Sequence, residues 1–264
     1  GGGVLSSFNQ HQKHFGSILC YNSDMESHVE DNIIGKHSYA TPHTGFTLAE
    51  VLITLGIIGV VAAITMPALV TKYQHKARET EFKKAYSALQ QALYSIDPDF
   101  ISAWTSNPGD RDTEFYTELY SKYRVITDKD VTNLYKKNNK ILIKNYNKKT
   151  GSQNLCAQLP TRVAQDGSAI SGCYNCFASW LVIDTNGPKR GPNALGHDIF
   201  YFSFNKNKLI PVGSPEYSHW EMKPNSTYCS KNSTNASNGA SCAYFAITDI
   251  CPDDPSKTYW ECLP

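Results

Sequence analysis

The segment Val51–Val70 is the strongest constraint on how this chain can fold, because it contains 20 consecutive residues without a charged side chain. An α-helix rises about 1.5 Å per residue, so this segment would cross a hydrocarbon layer of about 30 Å. A carboxylate, Glu50, directly precedes it. An acid beside a membrane span costs free energy unless a partner or the interface stabilises it, so Glu50 requires an explanation.

The apolar segment is the first half of one long predicted helix that ends near Asp97-Pro98, since proline lacks an N–H and disfavours a helical residue before it. Beyond Val70, apolar residues recur every three to five positions, which predicts a stripe that packs on the following domain. Pro67 is either ordinary membrane-helix composition or a point where the helix bends or melts. The predicted stripe comprises Tyr73, Ala77, Phe82, Ala85, Leu89, Leu93 and Ile96.

The remaining chain carries short strand patterns. Asp198–Phe204 alternates so that Phe200, Phe202 and Phe204 share one face, and Leu209–Val212 follows as a hairpin partner. Trp180–Asp184 and Ile141–Ile143 are weaker strand predictions. We therefore predict an α+β fold, in which a long N-terminal helix, membrane-spanning in its first half, packs on a C-terminal antiparallel sheet with disulfide-rich loops.

Seven cysteines follow the apolar segment. Met25 is a plausible start of the native chain, so residues 1–24 are left out of the fold reasoning, and Cys20 with them. Clustering on one side of a span predicts that this side is oxidising. Three disulfides and one free thiol are the simplest arrangement, and the spacing does not select the pairs. The disulfide candidates are Cys156, Cys173, Cys176, Cys229, Cys242, Cys251 and Cys262.

Two cysteine-bounded segments have more specific interpretations. Cys173-Tyr-Asn-Cys176 is a C-x-x-C sequence. A zinc site would need a second closely spaced pair of cysteines, and a thioredoxin-like site would need a strand before the motif and a helix after it. Ser168–Gly172 is predicted to be a loop, so a structural disulfide is favoured over redox or metal chemistry. The polar stretch Ser230–Ser241 is predicted to be a loop closed at its base by the flanking cysteines.

A glycine-rich loop is bracketed by Asp184, Asn186 and Asp198. Such oxygen ligands hold calcium in other proteins, but these residue types also build turns, and the later ligands of an EF-hand are missing. We predict that these residues build a turn. A calcium site is the alternative, and no other cofactor is predicted. His197 and His219 are isolated, and no serine or cysteine has a recognisable base in a known pattern, so no enzyme is predicted.

The stretch GFTLAEVLITLGIIGVVAAITMPAL resembles the N-terminus of type IV pilins and type II secretion pseudopilins. Gly45, Phe46 and Glu50 carry the resemblance, together with the apolar run and Pro67. The stretch DTNGPKRGPNALGHDIFYFSF also looks like a loop and strand from the heads of some pseudopilins.

The resemblance implies a leader, residues 1–45, a helix, residues 46–97, and an extracytoplasmic head, residues 98–264. It implies that a prepilin peptidase cuts between Gly45 and Phe46, and that Phe46 is then N-methylated. Glu50 could pair with the new amine, residues 46–70 would span the membrane and later pack in the filament core, and Pro67 would mark the place where the helix bends.

The implied partners are other pilin or pseudopilin subunits, the peptidase, an inner-membrane assembly platform and the membrane itself. Nucleic acid is expected only for a DNA-uptake pilin. The implied location is the bacterial inner membrane, with a single pass and an extracytoplasmic head, and later a periplasmic or extracellular filament.

The distribution of basic residues on the two sides of the span predicts the opposite orientation. Residues 26–45 contain one basic residue, Lys36, whereas residues 71–90 contain five, and the positive-inside rule alone would keep the head in the cytoplasm. We give more weight to the motif and the cysteines. The main hypothesis is a structural filament subunit. The alternatives are a minor tip pilin whose head binds a ligand, a surface or DNA, and a membrane-anchored periplasmic thiol-active protein.

Overall fold

The computed structural model describes residues 45–101, 108–127, 129–138, 140–148, 160–175, 178–217, 224 and 227–264. The predicted leader before Gly45, together with Cys156, Cys176 and His219, lies outside these residues. By compactness the chain divides into two units, residues 1–51 and 52–264.

One long helix, α1 (Leu48–Tyr94), has two halves of different character. Its apolar N-terminal half is long and apolar enough to cross a membrane, and its side chains are exposed. Its C-terminal half buries a stripe that includes Phe82, Ala85, Leu89 and Leu93, as predicted. Tyr73 was wrongly included in the stripe, because it is 76% exposed.

The head contains a five-stranded antiparallel sheet in sequential order, so each strand pairs with the next along the chain. A separate two-stranded ladder, β1 (Lys136–Lys137) with β2 (Lys140–Ile141), precedes it, so only the first residue of the predicted Ile141–Ile143 strand lies in a strand. The five strands are β3 (Arg162–Val163), β4 (Ala169–Asn175), β5 (Ala178–Asp184), β6 (Ile199–Asn205) and β7 (Lys208–Pro211). The α+β prediction is confirmed.

The predicted loop Ser168–Gly172 is wrong, because β4 begins at Ala169 and pairs with β3 on one side and β5 on the other. Helix α2 (Pro108–Lys122) was not predicted either. Its C-terminal tyrosines reach this region: Tyr120 donates to the carbonyl of Pro160 at 2.9 Å, and the hydroxyl of Tyr123 lies 3.0 Å from that of Ser168.

Helices pack on one face of the sheet. The ring centroid of Phe82 on α1 lies 4.5 Å from that of Phe200, and Phe115 on α2 stacks on Phe204 at 5.0 Å. Burying one such side chain contributes about 1.5–3 kcal/mol. The opposite face forms a second cluster that includes Tyr201 and Tyr135. Alternation along β6 therefore fills two cores, as the strand pattern predicted.

The edge strand β7 is capped by a side chain of α1. Gln90 donates from Nε2 to the carbonyl of Asn207 at 2.9 Å, and its Oε1 accepts the N–H of Leu209 at 3.0 Å. The amide thus bonds two outward-facing backbone groups, as a neighbouring strand would.

Candidate functional site

The first turn of α1 is stabilised by a capping box between Thr47 and Glu50. Glu50 Oε2 accepts the backbone N–H and the hydroxyl of Thr47, both at 2.8 Å. In return, the N–H of Glu50 donates to Thr47 Oγ1 at 3.2 Å. Because the first N–H groups of a helix lack intrahelical partners, this exchange fixes the helix start.

The capping box is a role for Glu50 and Thr47 that our sequence reasoning missed. The S/T-x-x-E spacing of Thr47 and Glu50 is its known signature and could have revealed it. Just before it, Phe46 is 88% exposed, and Gly45 has open space where a Cβ would lie. The bond between Gly45 and Phe46 therefore lies in an exposed segment without regular secondary structure, directly before the capped helix.

The apolar half of α1 presents a continuous hydrophobic surface. Leu52, Ile58, Ile64 and Leu69 are each more than 60% exposed. Apolar surface of this extent marks a membrane or protein interface, because its exposure to water is unfavourable.

Pro67 lies within α1, which continues through it. Proline cannot donate to the carbonyl of Ala63, so one helical hydrogen bond is missing there. Four residues on, the Thr71 hydroxyl donates to the Pro67 carbonyl at 3.0 Å. The predicted bend or melting at this position during assembly stays a prediction.

Comparison with known families gives a match to the prokaryotic N-terminal methylation motif over residues 42–66. The matched residues include Gly45, Phe46 and Glu50 and most of the apolar run. The chain carries the type IV pilin and pseudopilin signature. No match was found among curated proteins or among solved structures. The match confirms the predicted resemblance, and pilins with this signature are structural proteins rather than enzymes.

In the head, Asp184 and Asp198 lie at the two ends of the β5–β6 loop. Asp184 Oδ1 accepts the N–H groups of Asn186 and Gly187, at 3.2 and 2.8 Å, and Oδ2 accepts the hydroxyl of Tyr135 at 2.6 Å. Gly187 has a φ of +82°, which favours glycine in this turn.

Asp198 bonds in the same way: its two oxygens accept the N–H groups of Ala194 and Asn193, at 2.7 and 2.8 Å. These hydrogen bonds from backbone N–H groups support the prediction that the two aspartates build turns. Within the described residues no group of three or more His, Cys, Asp or Glu side chains is arranged to hold a metal.

Both carboxyl groups are at most 3% exposed. Burial, and then repulsion from Asp198, holds the pKa of Asp184 well above its usual range, and burial likewise raises the pKa of Asp198. The calcium alternative is supported by two buried oxygens, Thr185 Oγ1 and Asn186 Oδ1, that have no hydrogen-bond partner among the described residues. A calcium-dependent rise in the melting temperature of the protein is the test of that alternative.

Two disulfides fasten the C-terminal part of the head, Cys229–Cys242 and Cys251–Cys262. The first closes the polar loop Ser230–Ser241, as the sequence predicted. Within that loop, Asn238 accepts the N–H of Ser230 at 3.1 Å and donates to the Ser230 carbonyl at 2.8 Å. The loop is therefore held at its base by a covalent bond and by an amide bridge.

The C-x-x-C sequence lies at a hairpin. Cys173 belongs to β4, and β5 begins at Ala178, two residues after Cys176. A thioredoxin-like site would need a helix after the motif, whereas the next described element is the strand β5, so the fold does not favour redox chemistry.

His197 is fully buried and its Nε2 lies 2.8 Å from the Tyr146 carbonyl. Burial lowers the pKa of His197 to about 3, so it is neutral at physiological pH and acts as a packing residue.

Proposed function

We propose that this chain is a structural subunit of a pilus-like filament, either a type II secretion pseudopilin or a type IV pilin. One observation carries the proposal: the methylation motif continues directly into an exposed apolar helix whose second half is the spine of a folded head. The exposed half requires an apolar environment, which the bilayer supplies before assembly and neighbouring helices supply afterwards.

The proposed maturation begins with cleavage between Gly45 and Phe46 by a prepilin peptidase. The absent side chain of Gly45 leaves room for close approach of the enzyme. Cleavage creates an amine on Phe46, which is then N-methylated and remains cationic. Glu50 lies four residues on, so its carboxylate can pair with this amine or with that of a neighbouring subunit.

Assembly then transfers the helix from the inner membrane into a filament through an inner-membrane platform. A charge pair in an apolar core is far more favourable than an unpaired carboxylate, so pairing of Glu50 favours the correct axial position of each subunit. The head remains on the extracytoplasmic side, where its disulfides form.

The processing step is tested by mass spectrometry of the chain coexpressed with a prepilin peptidase. We expect a mature N-terminus at Phe46 carrying one methyl group. Gly45→Val is expected to leave the leader attached, because a branched side chain hinders the peptidase, whereas the control Gly56→Val is expected to be processed normally. An intact leader on the unmodified chain in the presence of an active peptidase contradicts the proposal.

The disulfide-bonded C-terminal segment, residues 229–262, favours a second candidate role. In this role the chain is a minor tip subunit whose head binds a ligand, a surface or DNA. Two disulfides and the polar loop 230–241 form a structured surface beyond the sheet. Recovery of the chain in sheared filaments at stoichiometric amounts supports the bulk subunit, while trace recovery with binding by the head supports the tip role.

A further inference from the structure

A groove of about 960 Å³ lies between α1 and the C-terminal segment. Its helical wall begins at Pro67, inside the apolar run, and continues through Lys72 and His75. Its opposite wall includes Asp249, Trp260 and Glu261. If residues 51–70 fill the hydrocarbon layer, the groove opens at the level of the lipid headgroups, which extend for about 5–7 Å on each side of that layer.

The two walls carry charges of opposite sign. Among the described residues, Lys72 has no ion-pair partner, whereas the adjacent lysine on this wall, Lys76, pairs with Glu79 at 2.9 Å. Asp249 and Glu261 form no direct ion pair in the described part of the chain; each accepts one backbone N–H, from Tyr259 and Thr258, and Asp249 is also attracted at longer range by Lys83. The groove thus presents Lys72 opposite two carboxylates without a direct ion-pair partner.

The uncharged surfaces suit a lipid as well. Trp260 is 3% exposed and packs on Phe82 at 5.4 Å, so it forms the buried floor of the groove, and its indole N–H has no hydrogen-bond partner among the described residues. Burial, and then nearby Arg78 and Lys148, lower the pKa of His75, whose ring already hydrogen-bonds the backbone of Trp260, so His75 adds no positive charge to this wall.

We propose that this groove binds the headgroup of a zwitterionic phospholipid with a primary amine, the phosphate on Lys72 and the ammonium between Asp249 and Glu261. A purely anionic headgroup would leave both carboxylates without a cation. A choline headgroup has no N–H to donate to them. The proposal rests on the membrane anchoring of α1, but it does not require cleavage or filament assembly.

The test measures lipid retention by the full chain. The chain is extracted from membranes, delipidated in detergent and mixed with equal amounts of phosphatidylethanolamine, phosphatidylcholine and phosphatidylglycerol, and retained lipids are counted by native mass spectrometry. We expect one phosphatidylethanolamine per chain. Lys72→Glu and Glu261→Lys should each lower its retention about fivefold, as expected for the loss of one interfacial charge contact. The matched control Lys129→Glu changes an exposed lysine outside the groove and should retain the lipid.

A second measurement uses the unmodified chain and so does not depend on the folding of variants. A carbodiimide joins a primary amine to a carboxylate with loss of water, so it should couple phosphatidylethanolamine to Glu261 or Asp249 and give a lipid adduct on that peptide. Phosphatidylcholine has no reactive amine and serves as the control.

Equal retention of all three lipids, or unchanged retention in Lys72→Glu, overturns the proposal. So does a crosslink from Glu261 to a lysine of a second copy in place of the lipid, because the groove would then be a contact between subunits. Normal cleavage at Gly45 in the same sample would show that the proposed function stands even when the headgroup site fails.

Discussion

A single carboxylate, Glu50, is suited to two successive tasks. In the uncleaved chain it is bound by the backbone and hydroxyl of Thr47, which starts α1 at Leu48. After cleavage the amine of Phe46 would become available to the same carboxylate, and a cation is the stronger partner in an apolar surrounding. Capping can therefore keep Glu50 hydrogen-bonded until its permanent partner exists.

Substitutions at Glu50 separate these two tasks. Glutamine can take the place of glutamate in a capping box but carries no charge. We expect Glu50→Gln and Glu50→Ala to be cleaved normally and both to fail to form filaments, measured by shearing and immunoblotting. Thr47→Ala removes only the cap and should lower filament yield less than either. Filaments from Glu50→Gln at the normal yield would assign the assembly role to capping instead of charge.

The buried pair Asp184 and Asp198 makes the head sensitive to pH. An acid whose pKa is raised by folding stabilises the native state fully below its unfolded pKa, and this stability is lost as pH rises through the folded pKa. We therefore expect the free energy of unfolding to fall by more than about 1 kcal/mol between pH 4 and pH 8.

Thermal unfolding of the detergent-solubilised chain in EDTA measures this slope without a cation that could neutralise the pair. Asp184→Asn should remove most of the slope, since its amide can still accept the two backbone N–H groups. Asp99→Asn, at an exposed carboxyl, should leave it unchanged. A stability that rises between pH 4 and pH 8 in the unmodified chain would falsify this account.

At the scale of elements, α1 shows what a helical periodicity can and cannot predict. Phe82 and Tyr73 were both placed in the apolar stripe, yet Phe82 is 2% exposed and Tyr73 is 76% exposed. The pattern gives the direction of each side chain around the helix. It does not give the point along the helix at which the head begins, because that depends on packing with Phe200 and Trp260, far away in sequence.

The two aromatic residues provide a matched pair of substitutions. Phe82→Ala should lower the free energy of unfolding by about 3–5 kcal/mol, because it leaves a cavity among the rings of β6 and the C-terminal segment. Tyr73→Ala should change it by less than about 0.5 kcal/mol. Chemical denaturation of both variants in detergent gives the two values, and similar losses would mean that the helix packs over a longer stretch.

Strand β4 shows a different limit of prediction from sequence. Its sequence AISGCYN contains few of the branched and aromatic residues that identify strands, so it was taken for a loop. In the structure it pairs along its length with β5 and at its start with β3, so its strand conformation comes from long-range backbone pairing that its local sequence does not reveal. By contrast, β6 and β7 were predicted correctly because alternation and a short polar turn are local signals.

For the whole molecule, the N-terminal site was largely predictable, since Gly45, Phe46 and Glu50 form a contiguous motif. Of the disulfides, Cys229–Cys242 was predicted from the polar loop between its cysteines, whereas Cys251–Cys262 was not, because pairing depends on which segments the fold brings together. Cys242 also opens a helix, α3 (Cys242–Thr248), that was not predicted.

The orientation of the molecule is where sequence signals conflict, and a reporter fusion resolves it. Because the disulfides need an oxidising compartment, we expect alkaline phosphatase fused after Pro264 to be active. A fluorescent protein that matures only in the cytoplasm should be dark at the same position. An inactive phosphatase would mean that the five basic residues after the span determine the topology, as the positive-inside rule predicts.

Gln90 gives α1 a second effect on how copies of the molecule can associate. An open sheet edge can be lengthened indefinitely by further strands, which is the geometry of uncontrolled fibres. By bonding Asn207 and Leu209, the helix closes that direction of growth in the head. The same helix that offers its first half for ordered polymerisation thus prevents disordered polymerisation through the sheet.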